Sequence, residues 1–268
     1  MHHPSDAMVP YTFIEGNTPL LVSMPHVGLY VPEGIRRGFS EEAQALPDTD
    51  WHVDRLYDWV YDLGASVLAA THSRYVIDLN RPPDDTPLYT GATTGLCPTV
   101  LFDGTPLYRE GHAPDATERL ARRAQYWQPY HDQIEEELQR LKAAYGYALL
   151  FDVHSIQSHV PRLFEGRLPD LNVGTHDGRS ADPGLVARVM AICEGAEGFT
   201  SVLNGRFKGG YITRHYGQPA EGIHAVQLEL AQCRYMNEGP PFAYRADLAA
   251  ELRVVLRRIV GAILDFRF

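Results

Sequence analysis

Short apolar runs alternate with longer stretches of helical periodicity along this chain, and that pattern constrains its fold more than any other feature. The apolar runs are "LLVSM" (Leu20–Met24), "SVLAA" (Ser66–Ala70), "YVIDL" (Tyr75–Leu79), "ALLFDV" (Ala148–Val153), "TSVLN" (Thr200–Asn204) and "HAVQLEL" (His224–Leu230). Helical patterns cover Asp50–Leu63, Asp115–Tyr145, Asp182–Glu194 and Arg245–Leu264. The second contains Pro129, which predicts a kink or break. In the last, Leu248, Leu252, Val255, Leu256, Ile259 and Ile263 make an apolar stripe that reads as packing. Strands alternating with helices predict an α/β protein with a mostly parallel sheet covered on both faces. With 268 residues, 44% hydrophobic and 22% charged, and no repeat or linker, the chain is expected to form a single domain over 1–268.

The same numbers exclude several classes of function. A net charge of −10 opposes a general binder of nucleic acid or anionic membrane, which needs clustered Lys and Arg. Cations for an anionic ligand must therefore be gathered locally. Cys97, Cys193 and Cys233 form no CxxC pair, so neither a disulfide framework nor a cysteine metal site is indicated. The opening "MHHPSDAMVPYTF" carries no secretory pattern, and no apolar run approaches the ~20 residues that span a bilayer. A cytoplasmic protein is expected.

In an open α/β sheet ligands bind beyond the carboxyl ends of the strands. Four runs end on reactive side chains. "SMPHVG" places His26 after the first, and "FDVHSIQS" places His154 after the fourth. Two strand-end histidines can meet on one metal ion, although either alone also fits a hydrogen bond to a loop. Asp152, two residues before His154, lies on the same side of a strand and suits an orienting role. A third ligand is sought in "PDTDWHVDRLYD", where Asp50 follows a possible N-cap, Thr49, with Asp54 one turn deeper. An acid at a helix start also fits the helix dipole alone.

In "HAVQLELAQCRYM", Val226, Leu228 and Leu230 face one way while Gln227 and Glu229 face the other. A carboxylate amid an apolar strand is costly to desolvate unless paired, and such burial raises its pKa toward a general base's range. A structural ion pair fits Glu229 as well. "YVIDLNRPP" ends on Asn80 and Arg81, and "NGRFKGGYITRHYG" gathers Arg206, Lys208 and Arg214 among four glycines. These cations suit an anionic ligand, and Gly209-Gly210 would let backbone approach it. The long, weakly periodic stretches 82–114 and 155–181 read as functional loops.

Together "SMPHVG", "DTDWHVDRLYD", "SRYVIDLNRPP", "GLCPT", "PLYREG", "PYHDQI", "FDVHSIQS", "PRLFEGRLPDLNVGT", "NGRFKGGYITRHYG" and "HAVQLELAQCRYM" resemble the N-formylglutamate amidohydrolase (N-formylglutamate deformylase) family from about Leu20 to Met236. The resemblance implies a three-layer α/β/α fold of the zinc-carboxypeptidase-like (phosphorylase/hydrolase-like) kind. It also implies hydrolysis of N-formyl-L-glutamate to formate and L-glutamate in histidine degradation. His26 and His154 then look like metal ligands, Asn80-Arg81 like a substrate-binding pair, and Glu229 like the base. Carboxypeptidases place a metal-binding Glu three residues after the first His, where this chain has Leu29. The acid is therefore expected from Asp50, with Asp54 in reserve.

The resulting expectation is one catalytic Zn²⁺ per chain on His26, Asp50 and His154, a ligand set that also accepts Mn²⁺ or Co²⁺. Glu229 would act as base and Arg81 would face the oxyanion. Asn80, Arg81, Arg206, Lys208 and Arg214 would bind an acidic N-acyl amino acid. Competing expectations are a zinc deacylase or peptidase for another N-acyl amino acid, and a non-catalytic binder of dicarboxylic amino acids. A serine hydrolase built on Ser155 is disfavoured because "DVHSIQS" lacks a G-x-S-x-G elbow.

Overall fold

A computed structural model describes residues 9–268 apart from Tyr89; the first eight residues of the opening stretch lie outside that range. Seven strands form one mixed sheet: β1 (Tyr11–Ile14), β2 (Leu20–Met24), β3 (Ser66–Ala70), β4 (Ala148–Ile156), β5 (Leu171–Gly174), β6 (Ser201–Leu203) and β7 (Ile223–Ala231). Their spatial order is β1-β3-β2-β4-β7-β5-β6. β3, β2, β4 and β7 run parallel, as do β5 and β6, while β1 on β3 and β5 on β7 are antiparallel. β2, β4 and β7 are buried along their whole length, as expected of central strands covered on both faces.

The helices are α1 (Glu33–Arg36), α2 (Val53–Leu56), α3 (Ala116–Arg122), α4 (Gln128–Tyr145), α5 (Pro183–Glu194), α6 (Tyr211–Tyr216) and α7 (Ala246–Leu264). Among the described residues no helix is long and apolar enough to cross a membrane. One apolar cluster joins Val22, Phe151 and Leu228 of the sheet to α2, α5 and α7. A second joins Leu21, Leu150 and Ala225, of opposite parity, to α4 and α6. The α/β/α layering is therefore that expected, and the alternation within each central strand builds both interfaces. A small third cluster joins Ile156, at the end of β4, to Phe102, Val160 and Leu168 of the loops above the sheet.

Several expectations are corrected. Tyr75–Leu79 is not a strand. It is a buried turn segment whose Val76 N–H donates to Ser73 O and whose Asp78 N–H donates to Leu96 O. Its apolar side chains pack in the second cluster instead of joining the ladder. The helix expected at Asp50–Leu63 is two pieces, α2 and a 3-10 turn at Asp58–Leu63. His52 before α2 has φ 62°, a left-handed conformation through which an α-helix cannot continue. Behind its N-cap Asp115 the chain is helical from Ala116 to Tyr145, but a π turn at Arg123–Trp127 separates α3 from α4 just before Pro129. The wider turn relieves the clash of the proline ring with the carbonyl four residues back. β1 and β5 carry too little alternation to be read from sequence. β1 is a half-exposed edge of four residues, and β5 buries a polar residue, Asn172.

Candidate active site

The register of the sheet makes the first placement. β4 and β7 are parallel neighbours in which His154 lies opposite Glu229 and Asp152 opposite Gln227. Side chains at paired positions share a face, so the imidazole and the carboxylate emerge side by side. His26 leaves the end of the adjacent β2. Gly28 follows because the chain there presses on the backbone of His72: a Cβ would sit 2.2 Å from the His72 carbonyl oxygen. Asp50 is delivered by its own backbone, whose N–H donates to the His26 carbonyl at 3.1 Å.

His26, Asp50 and His154 meet in a buried group. The two Nδ1 atoms are 3.2 Å apart, and Asp50 Oδ2 is 3.1 Å from His154 Nδ1 and 3.7 Å from His26 Nδ1. Each imidazole turns Nε2 to a buried carboxylate, Asp78 Oδ1 at 2.7 Å for His26 and Asp152 Oδ2 at 3.0 Å for His154. A proton on each Nε2, held by its carboxylate, would leave both Nδ1 lone pairs to face a metal ion. Against burial, Asp152 and Asp50 hold the pKa of His154 well above the usual value, so an ion would displace its Nδ1 proton. Tetrahedral zinc with bonds of about 2.0–2.1 Å needs donors roughly 3.3 Å apart. These spacings fit such an ion, and so do the two nitrogens and one oxygen. Asp50 Oδ1 is buried with no hydrogen-bond partner among the described residues.

Asp54 is exposed and takes no part in this group. Asn80, expected at the substrate, has its amide occupied. Nδ2 donates to Asp152 Oδ2 at 3.3 Å, the carboxylate that also holds His154 Nε2, and Oδ1 accepts from Ile212 N at 2.8 Å. Gly210 packs on that amide, where a Cβ would come within 2.3 Å of Nδ2. Arg81 and Arg206 line the pocket above the group, together with Thr93, Thr94, Phe102 and Glu229. Arg81 donates to Thr94 O at 2.8 Å, and Arg206 to Leu163 O at 2.6 Å and Ala92 O at 3.1 Å. Lys208 lies outside this lining and pairs with Asp177 at 3.0 Å on the surface. Arg214, also outside it, donates to Gly209 O at 2.7 Å and Leu88 O at 3.2 Å.

Two residues of the site were not legible in the sequence. Arg74 is buried against the pocket; Nη2 donates to Asp78 Oδ2 at 2.8 Å, and Nη1 lies 3.5 Å from Asp50 Oδ1. Asp78 stands in an apolar run, the signal that exposed Glu229, but a run of that composition reads as a strand and brings no partner into view. No feature of the sequence marks Arg74.

The electrostatics divide the carboxylates. Burial pushes Asp50 up, but the attraction of the His154 and His26 imidazoles beside it outweighs this and holds the carboxyl below its ordinary range. Burial likewise opposes ionisation of Asp78, yet His26, Arg74 and Arg81 hold its pKa well below the usual value. Glu229 has no such support. Burial, with the charges of Asp50 and Asp152, raises it to about 8 against the pull of His154 and Arg74. One side of the site thus favours ionised carboxylates, and the other holds a carboxyl whose pKa lies near neutrality.

Fold and site together define a class: three-layer α/β/α proteins whose chemistry gathers at the carboxyl edge of the sheet, around a His–Asp–His group able to hold a metal ion. Within that class the chain belongs to the N-formylglutamate amidohydrolase family, whose model matches residues 18–236. It is 62% identical to an N-formylglutamate deformylase of Pseudomonas aeruginosa over 253 residues, 94% of this chain and 95% of that protein. It is 58% identical to one from Pseudomonas putida over the same coverage. The crystal structure of N-formylglutamate amidohydrolase from Ralstonia eutropha JMP134 superposes with a TM-score of 0.82 at 27% identity, covering 95% of this chain and 98% of that one. A gene product of Agrobacterium tumefaciens shares the fold, with a TM-score of 0.71 at 20% identity over 95% and 96% of the two chains.

Proposed function

We propose that this protein hydrolyses N-formyl-L-glutamate to formate and L-glutamate, with one divalent metal ion, zinc, on His26, Asp50 and His154. The relatives named N-formylglutamate deformylase support the substrate. The observation that carries the chemistry is the convergence of those three donors beside the buried carboxyl of Glu229. When bound, the ion supplies Lewis acidity and lowers the pKa of a water from 15.7 toward roughly 7.

Glu229 takes the proton of the attacking water as oxygen adds to the formyl carbon, and returns it to the glutamate nitrogen as the C–N bond breaks. Its raised pKa suits both transfers near neutral pH. Arg81 faces the negative charge that develops on the formyl oxygen, an electrostatic role that often supplies the largest single term. Arg81 and Arg206 receive the substrate carboxylates inside the pocket. Lys208 and Arg214 add positive potential from beyond its lining. Asn80 serves substrate binding by holding the Gly210–Ile212 segment in place behind these cations.

Formate release from N-formyl-L-glutamate by purified, chelator-stripped and Zn²⁺-reloaded protein tests the proposal. Activity should vanish on stripping and return with zinc. No formate from the metal-loaded protein would overturn it, and parallel assays with N-acetyl- and N-succinyl-L-glutamate measure the preference for formyl. A non-catalytic binder of glutamate would show binding without turnover.

A further inference from the structure

Three consecutive carbonyls above the pocket each accept a hydrogen bond from a different arginine. Arg206 Nη2 donates to Ala92 O at 3.1 Å, Arg162 Nη2 to Thr93 O at 3.3 Å, and Arg81 Nε to Thr94 O at 2.8 Å. These arginines come from three separate parts of the chain and meet on one short strap. The strap also turns side chains inward: Thr93 and Thr94 line the pocket, and both hydroxyls lie within 3.5 Å of Arg81 Nη2.

Arg81 and Arg206 line the pocket, whereas Arg162 does not. It grips the strap at its middle carbonyl from outside. Its stem lies over Gly104, where a Cβ would come within 3.2 Å of Arg162 Cδ. Its second nitrogen, Nη1, is buried without a hydrogen-bond partner among the described residues.

A guanidinium carries five N–H donors in a rigid fork. Bonds to fixed acceptors set the plane of the fork, as those of Arg81 to Thr94 O and Asn80 O and of Arg206 to Ala92 O and Leu163 O do. This is pre-organisation: the ordering is done before an anion arrives, so less freedom is lost on binding. It works only if the carbonyl itself is immobile. We propose that Arg162 is a positioning residue for recognition of the substrate's side-chain carboxylate. It fixes the Ala92–Thr94 strap and thereby the orientation of Arg81 and Arg206.

The identity of the anion rests on the function proposed above; the mechanical role of Arg162 does not. The test compares wild type, Arg162→Met and Arg162→Lys on N-formyl-L-glutamate and its neutral isostere N-formyl-L-glutamine, with calorimetric binding of L-glutamate alongside. Arg162→Met should raise KM for N-formyl-L-glutamate about tenfold, the worth of a hydrogen bond from a charged group. L-glutamate binding should weaken to match. Any fall in kcat is shared by both substrates, because Arg81 also faces the oxyanion, so kcat/KM for N-formyl-L-glutamate relative to N-formyl-L-glutamine should drop about tenfold. Arg162→Lys, which keeps a charged donor on a long stem, should recover most of the loss.

Equal losses on both substrates, or none on either, would overturn the proposal. If wild type binds L-glutamate but hydrolyses neither substrate, the deformylase reading falls, and weaker glutamate binding by Arg162→Met still decides for the strap. If wild type neither binds nor hydrolyses, both fall.

Discussion

His26 Nε2 donates to Asp78 Oδ1 at 2.7 Å, and both residues are buried, Asp78 completely. Arg74 holds the other oxygen of that carboxylate at 2.8 Å and reaches toward Asp50 with its second nitrogen. An ionised chain from Arg74 through Asp78 thus fixes the tautomer of one imidazole and lies against the acid of the same group. Partners of this kind usually govern metal affinity by 10–100-fold.

Asp78→Asn should therefore weaken Zn²⁺ binding by about 10–100-fold, read by competition with a chromophoric chelator. Asp54→Asn, at an exposed position outside the group, should leave affinity unchanged. Equal affinities for wild type and Asp78→Asn would refute the orienting role.

Glu229→Gln keeps the volume of the side chain and removes its ability to take a proton. The expected result is a fall in kcat of about 100- to 10,000-fold with metal content unaltered. Formate assays paired with elemental analysis separate this outcome from loss of the ion.

His131 gives a prediction about stability. It is buried, with Nε2 donating to Leu79 O at 2.8 Å and Nδ1 2.9 Å from the Tyr216 hydroxyl. Burial lowers its pKa from 6.5 to about 3. Between those values the unfolded chain binds a proton that the folded chain refuses, so stability is intact above 6.5 and declines as pH falls toward 3. At pH 5 the loss from this residue is about 2 kcal/mol. The stability difference between wild type and His131→Gln should narrow by roughly that amount from about pH 8 to pH 5 in urea unfolding. A constant difference would show that His131 does not carry the effect.

Gly210 has no room for a methyl group, since its Cβ would approach Asn80 Nδ2 at 2.3 Å. Gly210→Ala should cost about 1–3 kcal/mol, as overpacking does, and lower kcat/KM by displacing Asn80 from Asp152. Gly34→Ala, where nothing lies within 4 Å, is the matching control. Thermal unfolding and initial rates on both variants check the pair.

The layers of the fold and the residues most costly to bury were legible in the sequence. Alternation in β7 separated its two faces, because side chains in a strand have a period of two whatever they pack against. It marked Glu229 for the same reason: a carboxylate among apolar neighbours is anomalous wherever the strand comes to lie. His26 and His154 stood out as strand-end histidines. Which groups meet was settled by folding alone. The choice of Asp50 over Asp54 turns on a backbone hydrogen bond to His26 and a left-handed residue at His52. The roles of Arg74, Asp78 and Arg162 turn on contacts between segments far apart in the chain. Local periodicity reports which way a side chain points; the partner at the far end of a hydrogen bond is set by packing of the whole chain, and no short window of sequence contains it.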